Sequence, residues 1–163
     1  MDIRKATIND IEFIKSIYNQ GIEDKIATLE SDVKDNTYIE NWLFDRSEKY
    51  STLVLENENQ VLGFATINPY NSRCAYSDVG EISIYIEREN RGKGYGTLLL
   101  SNVVEIAKTN KFHKLVLFAL EQNKAGNKLY EKVGFNHVGV FKEQGKIDGE
   151  FVDIVIKELL LSE

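Results

Sequence analysis

The feature that most constrains this chain is the run over residues 79–96. Alternation along 79–86 puts Ile82, Ile84 and Ile86 on one face of a strand, and Glu81, Ser83 and Tyr85 on the other. The strand leads into Arg91-Gly92-Lys93-Gly94-Tyr95-Gly96, and then into a helix over 97–109 with Leu99, Val103 and Ile106 at helical spacing. Backbone N–H groups of such a turn can converge on an anion, and the helix behind it adds unpaired N–H groups and the positive end of its dipole. Arg91 and Lys93 bring charge suited to a phosphate. The dinucleotide fingerprint would need glycine in place of Thr97, and the P-loop would need serine or threonine in place of Gly94. The same residues also suit a flexible turn at a helix start.

Around this unit the pattern predicts a mixed α/β chain. Residues 3–6 read as a short strand. A helix starts at Asn9, with Glu12 completing a capping box and Ile11, Ile14, Ile17 and Tyr18 as its apolar stripe. Residues 22–34 lack periodicity and read as a loop. A second helix follows Asp35 or Asn36, carrying Ile39, Trp42 and Leu43. Strands at 51–56 and 61–67 form a hairpin about residues 57–60. A polar loop over 68–78 precedes the central strand. After the long helix come a strand at 114–120, a helix over 125–132 closed by Gly134, and two arms of a final hairpin at 138–142 and 150–159. Strands that precede, separate and follow the helices predict one domain over 1–163.

Composition removes several classes. The chain carries 26 acidic against 20 basic residues, a net charge of −6, which argues against a broad nucleic-acid surface. Its single cysteine, Cys74, provides no disulfide framework and no cysteine zinc site, and His113 and His137 lack metal-ligand spacing, so no metal is expected. No apolar run approaches a membrane span and no apolar stretch follows the charged start, so a cytoplasmic domain without membrane partners is expected.

The residues over 91–96 resemble the acyl-CoA pyrophosphate loop of the GNAT N-acetyltransferases, Arg/Gln-x-x-Gly-x-Gly/Ala. The strand over 81–86 fits that superfamily's central strand. Residues 123–135, Asn-Lys-Ala-Gly-Asn-Lys-Leu-Tyr-Glu-Lys-Val-Gly-Phe, resemble its third signature, with Gly126 where alanine or serine is usual. Within the superfamily the chain most resembles the phosphinothricin / methionine sulfone branch. The residues that carry this are Ile3-Arg4-Lys5-Ala6-Thr7, Ile17-Tyr18-Asn19, Arg73-Cys74-Ala75-Tyr76 and the tail over 145–153, where Phe151 replaces the usual tryptophan.

The resemblance implies a mostly antiparallel twisted sheet, flanked by helices and splayed at the acyl-CoA site. It implies acetyl transfer from acetyl-CoA to the primary amine of a small amino-acid-like acceptor, by direct attack in a ternary complex. It further implies a homodimer. Ile84, Tyr85 and Ile86 would pair with the pantetheine arm and residues 91–96 would hold the pyrophosphate. The Asn123 side chain would bond the pantetheine; asparagine there equally suits a helix N-cap. Glu81 is the general-base candidate, since a carboxylate in a partly desolvated cleft can take the proton of an ammonium; an exposed strand glutamate is the plain alternative. Tyr130 is implied as the acid that protonates the leaving thiolate, and a packed helix tyrosine would look the same. Arg73 could bind a substrate carboxylate bidentately, with Tyr76 beside it, or both could be solvated loop residues. Lys146 and Asp148 in the final hairpin are further acceptor-site candidates. A protein N-terminal or lysine acetyltransferase, and a non-catalytic acyl-CoA sensor, remain open on these residues.

Overall fold

A computed structural model describes residues 1–161. In chain order the elements are β1 (Asp2–Lys5), α1 (Ile11–Asp24), α2 (Asn36–Leu43), β2 (Thr52–Asn57), β3 (Gln60–Pro69), β4 (Val79–Ile86), α3 (Tyr95–Thr109), β5 (Lys114–Leu120), α4 (Lys124–Val133), β6 (Asn136–Ile147) and β7 (Glu150–Leu160). The strands form one seven-stranded sheet in the order β1-β2-β3-β4-β5-β7-β6. Every pairing is antiparallel except β4 with β5.

Alternation along the strands gives the sheet two apolar faces. Val54, Phe64 and Tyr85 pack against Ile14, Ile17 and Tyr18 of α1 and Ile39 of α2. Leu55, Ala65, Ile67, Ile82, Leu115 and Leu117 pack on the opposite face against Leu99, Leu100 and Val103 of α3. Ile14, Phe64, Leu99 and Leu115 are fully buried, and complete burial of such a side chain is worth about 1.5–3 kcal/mol. The mixed α/β expectation holds, and the central strand falls where alternation placed it. The hairpin β2–β3 turns at Glu58 and Asn59, both in left-handed conformation (φ 50° and 65°), as a two-residue turn that follows strand twist requires.

Two expectations need correction. The capping box at the first helix lies two residues earlier than Asn9 and Glu12. Thr7 occupies the cap, a short 3₁₀ turn covers Ile8–Asp10, and the Asp10 carboxylate accepts from the Thr7 amide at 2.7 Å. Arg4 decides this, because its guanidinium donates to both Asp10 oxygens at 2.8 and 2.9 Å and so fixes the carboxylate beneath β1. Glu12 turns outward to Lys15 and Asn36. The final hairpin is also longer than its pattern. β6 runs on to Ile147, so most of residues 142–150 is strand, and only Asp148 and Gly149 turn. Irregularities between His137 and Gly139 and between Phe141 and Gly145 break the alternation that would have revealed it.

Candidate active site

Among the described residues, the single parallel pair is also the shortest register in the sheet interior. β4 and β5 are matched only at Val79–Lys114, Gly80–Leu115 and Glu81–Val116. Beyond Glu81 the two strands part, while β4 stays paired with β3 through Ile86. The Glu87 amide donates to the Leu62 carbonyl at 2.8 Å. Alternation from that bond turns the backbone of Tyr85 and Ser83 toward β3, and that of Ile84 and Ile86 toward the gap. Of the three edge residues expected, Ile84 and Ile86 therefore offer backbone groups to the gap. Tyr85 does not; its backbone belongs to the β3 ladder and its buried side chain contributes to the α1–α2 core.

Behind the gap lies the glycine turn. Gly92 and Gly94 both have positive φ (76° and 85°), and no atom lies within 4 Å of where a Cβ would sit on either. A side chain is thus disfavoured by backbone conformation rather than by crowding, and neither glycine amide donates to another backbone group among the described residues. Arg91 lines the groove and also has two partners within the protein. Its Nη1 pairs with Asp24 at 2.6 Å, and its Nε donates to the Ile86 carbonyl at 3.2 Å. Lys93 is exposed and reaches Asn90 at 3.2 Å. Ile84, Ile86, Arg91, Gly92, Gly94, Tyr95, Gly96 and Asn123 line a groove of about 260 Å³, together with Tyr130. Asn123 caps α4, its Oδ1 accepting from the Gly126 amide at 3.0 Å, and it also lines the groove. Gly126 has a physical reason. A Cβ there would fall 2.5 Å from Asn123 Nδ2, so alanine would expel the cap.

A second cavity, about 330 Å³, opens beside it along β4. Glu81 and Ser83 line it, with Tyr18, Phe118 and Phe141 from other elements. Ala27, Ile84, Tyr85 and Tyr130 line both spaces, so groove and cavity meet at the parted strands. Glu81 is half-buried, and burial alone raises its carboxyl above the ordinary range; no charge or hydrogen bond among the described residues offsets this. Tyr130 is 8% exposed. Burial pushes its phenol up to about 12, so it holds its proton.

The loop after α1 supplies residues that sequence reasoning left without a role. Ala27, Thr28, Leu29 and Glu30 line the cavity. Asn19 holds this loop, donating to the Lys34 carbonyl at 2.9 Å and accepting from its amide at 2.8 Å. The aperiodic polar sequence gave no hint of that, because the clamp lies 15 residues away on α1. Arg73 and Tyr76 line neither space. Both are exposed, and Tyr76 reaches the cavity only through a row of rings, Tyr76–Tyr70–Phe118–Phe141, with centroids 5.4, 6.4 and 6.4 Å apart. Lys146 lies over the Phe151 ring, and Asp148 pairs with Lys25 at 2.8 Å. Cys74 is free and exposed. Among the described residues, no helix is long and apolar enough to cross a membrane.

Among the described residues the sheet parts at one parallel pair, with a glycine turn on one side and a half-buried carboxylate on the other, an arrangement suited to group transfer. The chain belongs to the acetyltransferase (GNAT) family, whose model matches residues 14–135, and it is an N-acetyltransferase of that family. It is 32% identical to a Bacillus subtilis protein, provisionally named a phosphinothricin acetyltransferase, over 96% of each chain. It is 27% identical to an L-methionine sulfoximine/L-methionine sulfone acetyltransferase of Pseudomonas aeruginosa, over 98% of this chain and 94% of that one. A phosphinothricin acetyltransferase of Sinorhizobium meliloti, solved in complex with acetyl-CoA, superposes with a TM-score of 0.92 at 25% identity, over 99% of this chain and 88% of that one. A ribosomal-protein-alanine N-acetyltransferase of Brucella melitensis superposes with a TM-score of 0.94 at 29% identity, over 98% and 99%.

Proposed function

We propose that this chain, acting as one cytoplasmic domain, transfers acetyl from acetyl-CoA to the primary amine of a small amino-acid-like acceptor of the phosphinothricin or methionine sulfone type, by direct attack in a ternary complex. The observation that carries the reading is the meeting of groove and cavity at Ile84 and Tyr130, with Glu81 on the cavity side. The relatives named for phosphinothricin and methionine sulfone support the acceptor class.

The groove fits acetyl-CoA by its own features. The backbone around Gly92 and Gly94 suits the pyrophosphate, the edge at Ile84 and Ile86, free of strand pairing on that side, suits an extended amide-bearing arm, and Asn123 lines the same groove. Bound there, acetyl-CoA supplies an acetyl group activated as a thioester. An acceptor amine with a pKa of about 10 is mostly ammonium near neutrality and must lose a proton first. Glu81 takes it, because burial has raised the basicity of its carboxylate. The backbone N–H of Ile84, aimed into the gap, is placed to stabilise developing negative charge on a carbonyl oxygen. Tyr130 retains its proton at working pH and can give it to a departing thiolate. No metal enters this scheme.

The acceptor cavity holds Glu30 and Glu81 and no basic side chain, which favours a cationic amine. The exposed ring row from Tyr76 to Phe141 at its mouth supports a homodimer with the cavities near the interface. The test is release of free thiol from acetyl-CoA against phosphinothricin, methionine sulfone, methionine sulfoximine, the standard amino acids, polyamines and N-terminal peptides. Saturable turnover on the first three is expected. Turnover on peptides alone would assign the chain to protein acetylation, and acetyl-CoA binding without turnover would favour a sensor.

A further inference from the structure

One polar network beside the cavity has no part in the scheme above. Asn68 Oδ1 accepts two hydrogen bonds, from Trp42 Nε1 at 2.9 Å and from Arg46 Nη1 at 3.0 Å. Both partners can only donate, so the atom they share is the amide oxygen and the amide cannot flip. Asn68 Nδ2 therefore donates, and it donates to Ser83 Oγ at 2.9 Å. With its oxygen accepting there, the Ser83 O–H must point elsewhere, and Ser83 lines the acceptor cavity.

Behind Asn68 stands an unneutralised cation. Arg46 Nη2 donates to Thr66 Oγ1, which shares a 2.8 Å bond with Thr52 inside the sheet. Arg46 Nε is buried with no partner, and no carboxylate contributes to its charge state. Burial lowers the guanidinium only to about 10, so it stays charged at neutral pH. The bonds run in one direction, from Arg46 through the Asn68 amide to Ser83. Each bond polarises the next, and the chain ends as a strengthened donor aimed into the cavity. An α-amino acid faces a difficulty there, since it must seat a carboxylate in a space whose charged side chains, Glu30 and Glu81, are both acidic. Arg73, the expected carboxylate partner, is outside. Ser83 is two residues from Glu81 on the same strand face, roughly 7 Å along the strand, a span suited to one ligand carrying an ammonium and a carboxylate.

Building on the small-acceptor reading, we infer that Ser83 is a specificity-determining residue that donates its O–H to the acceptor's carboxylate, and that Asn68, held by Arg46 and Trp42, is the positioning residue that directs that proton.

The test uses the full chain, methionine sulfone as acceptor and its carboxamide as the uncharged analogue. Ser83→Ala should raise the KM for methionine sulfone roughly ten- to hundredfold, the range for a hydrogen bond to a charged group. The loss should lie in that KM rather than in kcat, with the KM for acetyl-CoA unmoved. Asn68→Asp keeps an acceptor for Trp42 and Arg46 but draws the Ser83 proton to itself, so it should raise the same KM without lowering the urea midpoint. The double variant should be no worse than Ser83→Ala alone, because both changes remove one bond. The carboxamide should be a poor acceptor for the wild type and insensitive to Ser83→Ala. An unchanged KM in Ser83→Ala, multiplying effects in the double variant, or equal losses on acid and carboxamide would each overturn the inference while leaving the small-acceptor reading intact. Wild-type protein that acetylates peptides and ignores every amino acid would overturn both.

Discussion

Replacing Glu81 by glutamine changes one oxygen to an amide in a half-buried position and removes the only carboxylate that the fold places on β4 at the parted strands. An acceptor amine of pKa about 10 is free in only about one part in a thousand at pH 7, and its free fraction grows tenfold per pH unit up to that pKa. In the wild type Glu81 takes the proton on the enzyme. kcat/KM should therefore rise through the raised Glu81 pKa, which lies above 4.5, and then flatten. In Glu81→Gln the amine must arrive unprotonated, so kcat/KM should climb with unit slope to about pH 10. The wild-type advantage should be about 10²–10³ at pH 7, within the usual range for general-base catalysis, and should shrink to tenfold or less by about pH 9.5. Tyr130 does not confuse the comparison, because its phenol titrates at about 12 and stays protonated throughout. The assay is thiol release with methionine sulfone from pH 5 to pH 10. A ratio that stays constant across this range would refute the assignment, since it would mean that Glu81 shapes the site without handling the proton. Stability gives a second check of opposite sense. The native carboxyl pKa is raised above its unfolded value, so the native state binds the proton more tightly and stability is lost as pH rises through the interval between the two. Glu81→Gln should accordingly be more stable than the wild type to urea at pH 7 and closer to it at pH 4.

Other outcomes follow from the same geometry. Tyr130→Phe should lower kcat by about 10²-fold or more, the lower end for a lost acid, with acetyl-CoA affinity retained; equal loss in both would mark the hydroxyl as a packing group. Gly94→Val forces a β-branched residue to φ 85° and should weaken acetyl-CoA binding by calorimetry more than tenfold; intact affinity would remove the turn from the cofactor site. Asp10→Asn leaves Arg4 with one anionic partner, Glu56, and should destabilise the fold by about 1–3 kcal/mol in urea. The wild-type carboxyl is held below its ordinary value by Arg4, so that stabilisation is present above about pH 4 and lost as pH falls through the native pKa, and the variant should show no such loss. Phe141→Asp should shift a homodimer toward monomer in sedimentation; an unchanged state would place the interface elsewhere.

What was legible in the sequence is what depends on neighbours along the chain. Alternation placed β4 to the residue, the glycine run announced the turn with positive φ at Gly92 and Gly94, and Gly134 marked the end of α4 with φ 116°. Each is a local rule acting over a few residues. The capping box was misplaced by two positions because its deciding partner, Arg4, sits on another element. β6 was underestimated for a related reason, since a bulge removes the period that identifies a strand while leaving the cross-strand bonds that define it.

The site divides along the same line. Glu81 and Tyr130 could be nominated from motif position, but their proximity depends on β4 and β5 parting after three matched pairs, a property of the sheet rather than of either segment. Arg91 is similar. Its charge argued for a phosphate contact, and nothing along the chain announced that Asp24 on α1, 67 residues away, would also pair with it. The Arg46–Asn68–Ser83 relay was invisible for the most basic reason. Its members are an arginine after α2, an asparagine near the end of β3 and a serine mid-strand, none with a local pattern, and only the diagonal of an antiparallel pair brings the last two to 2.9 Å. Chemistry carried by backbone can be read from a turn because glycine leaves a mark at the site of action. Chemistry carried by a proton's direction depends on the order in which donors and acceptors meet in space, so it emerges only when the cross-strand partners are known.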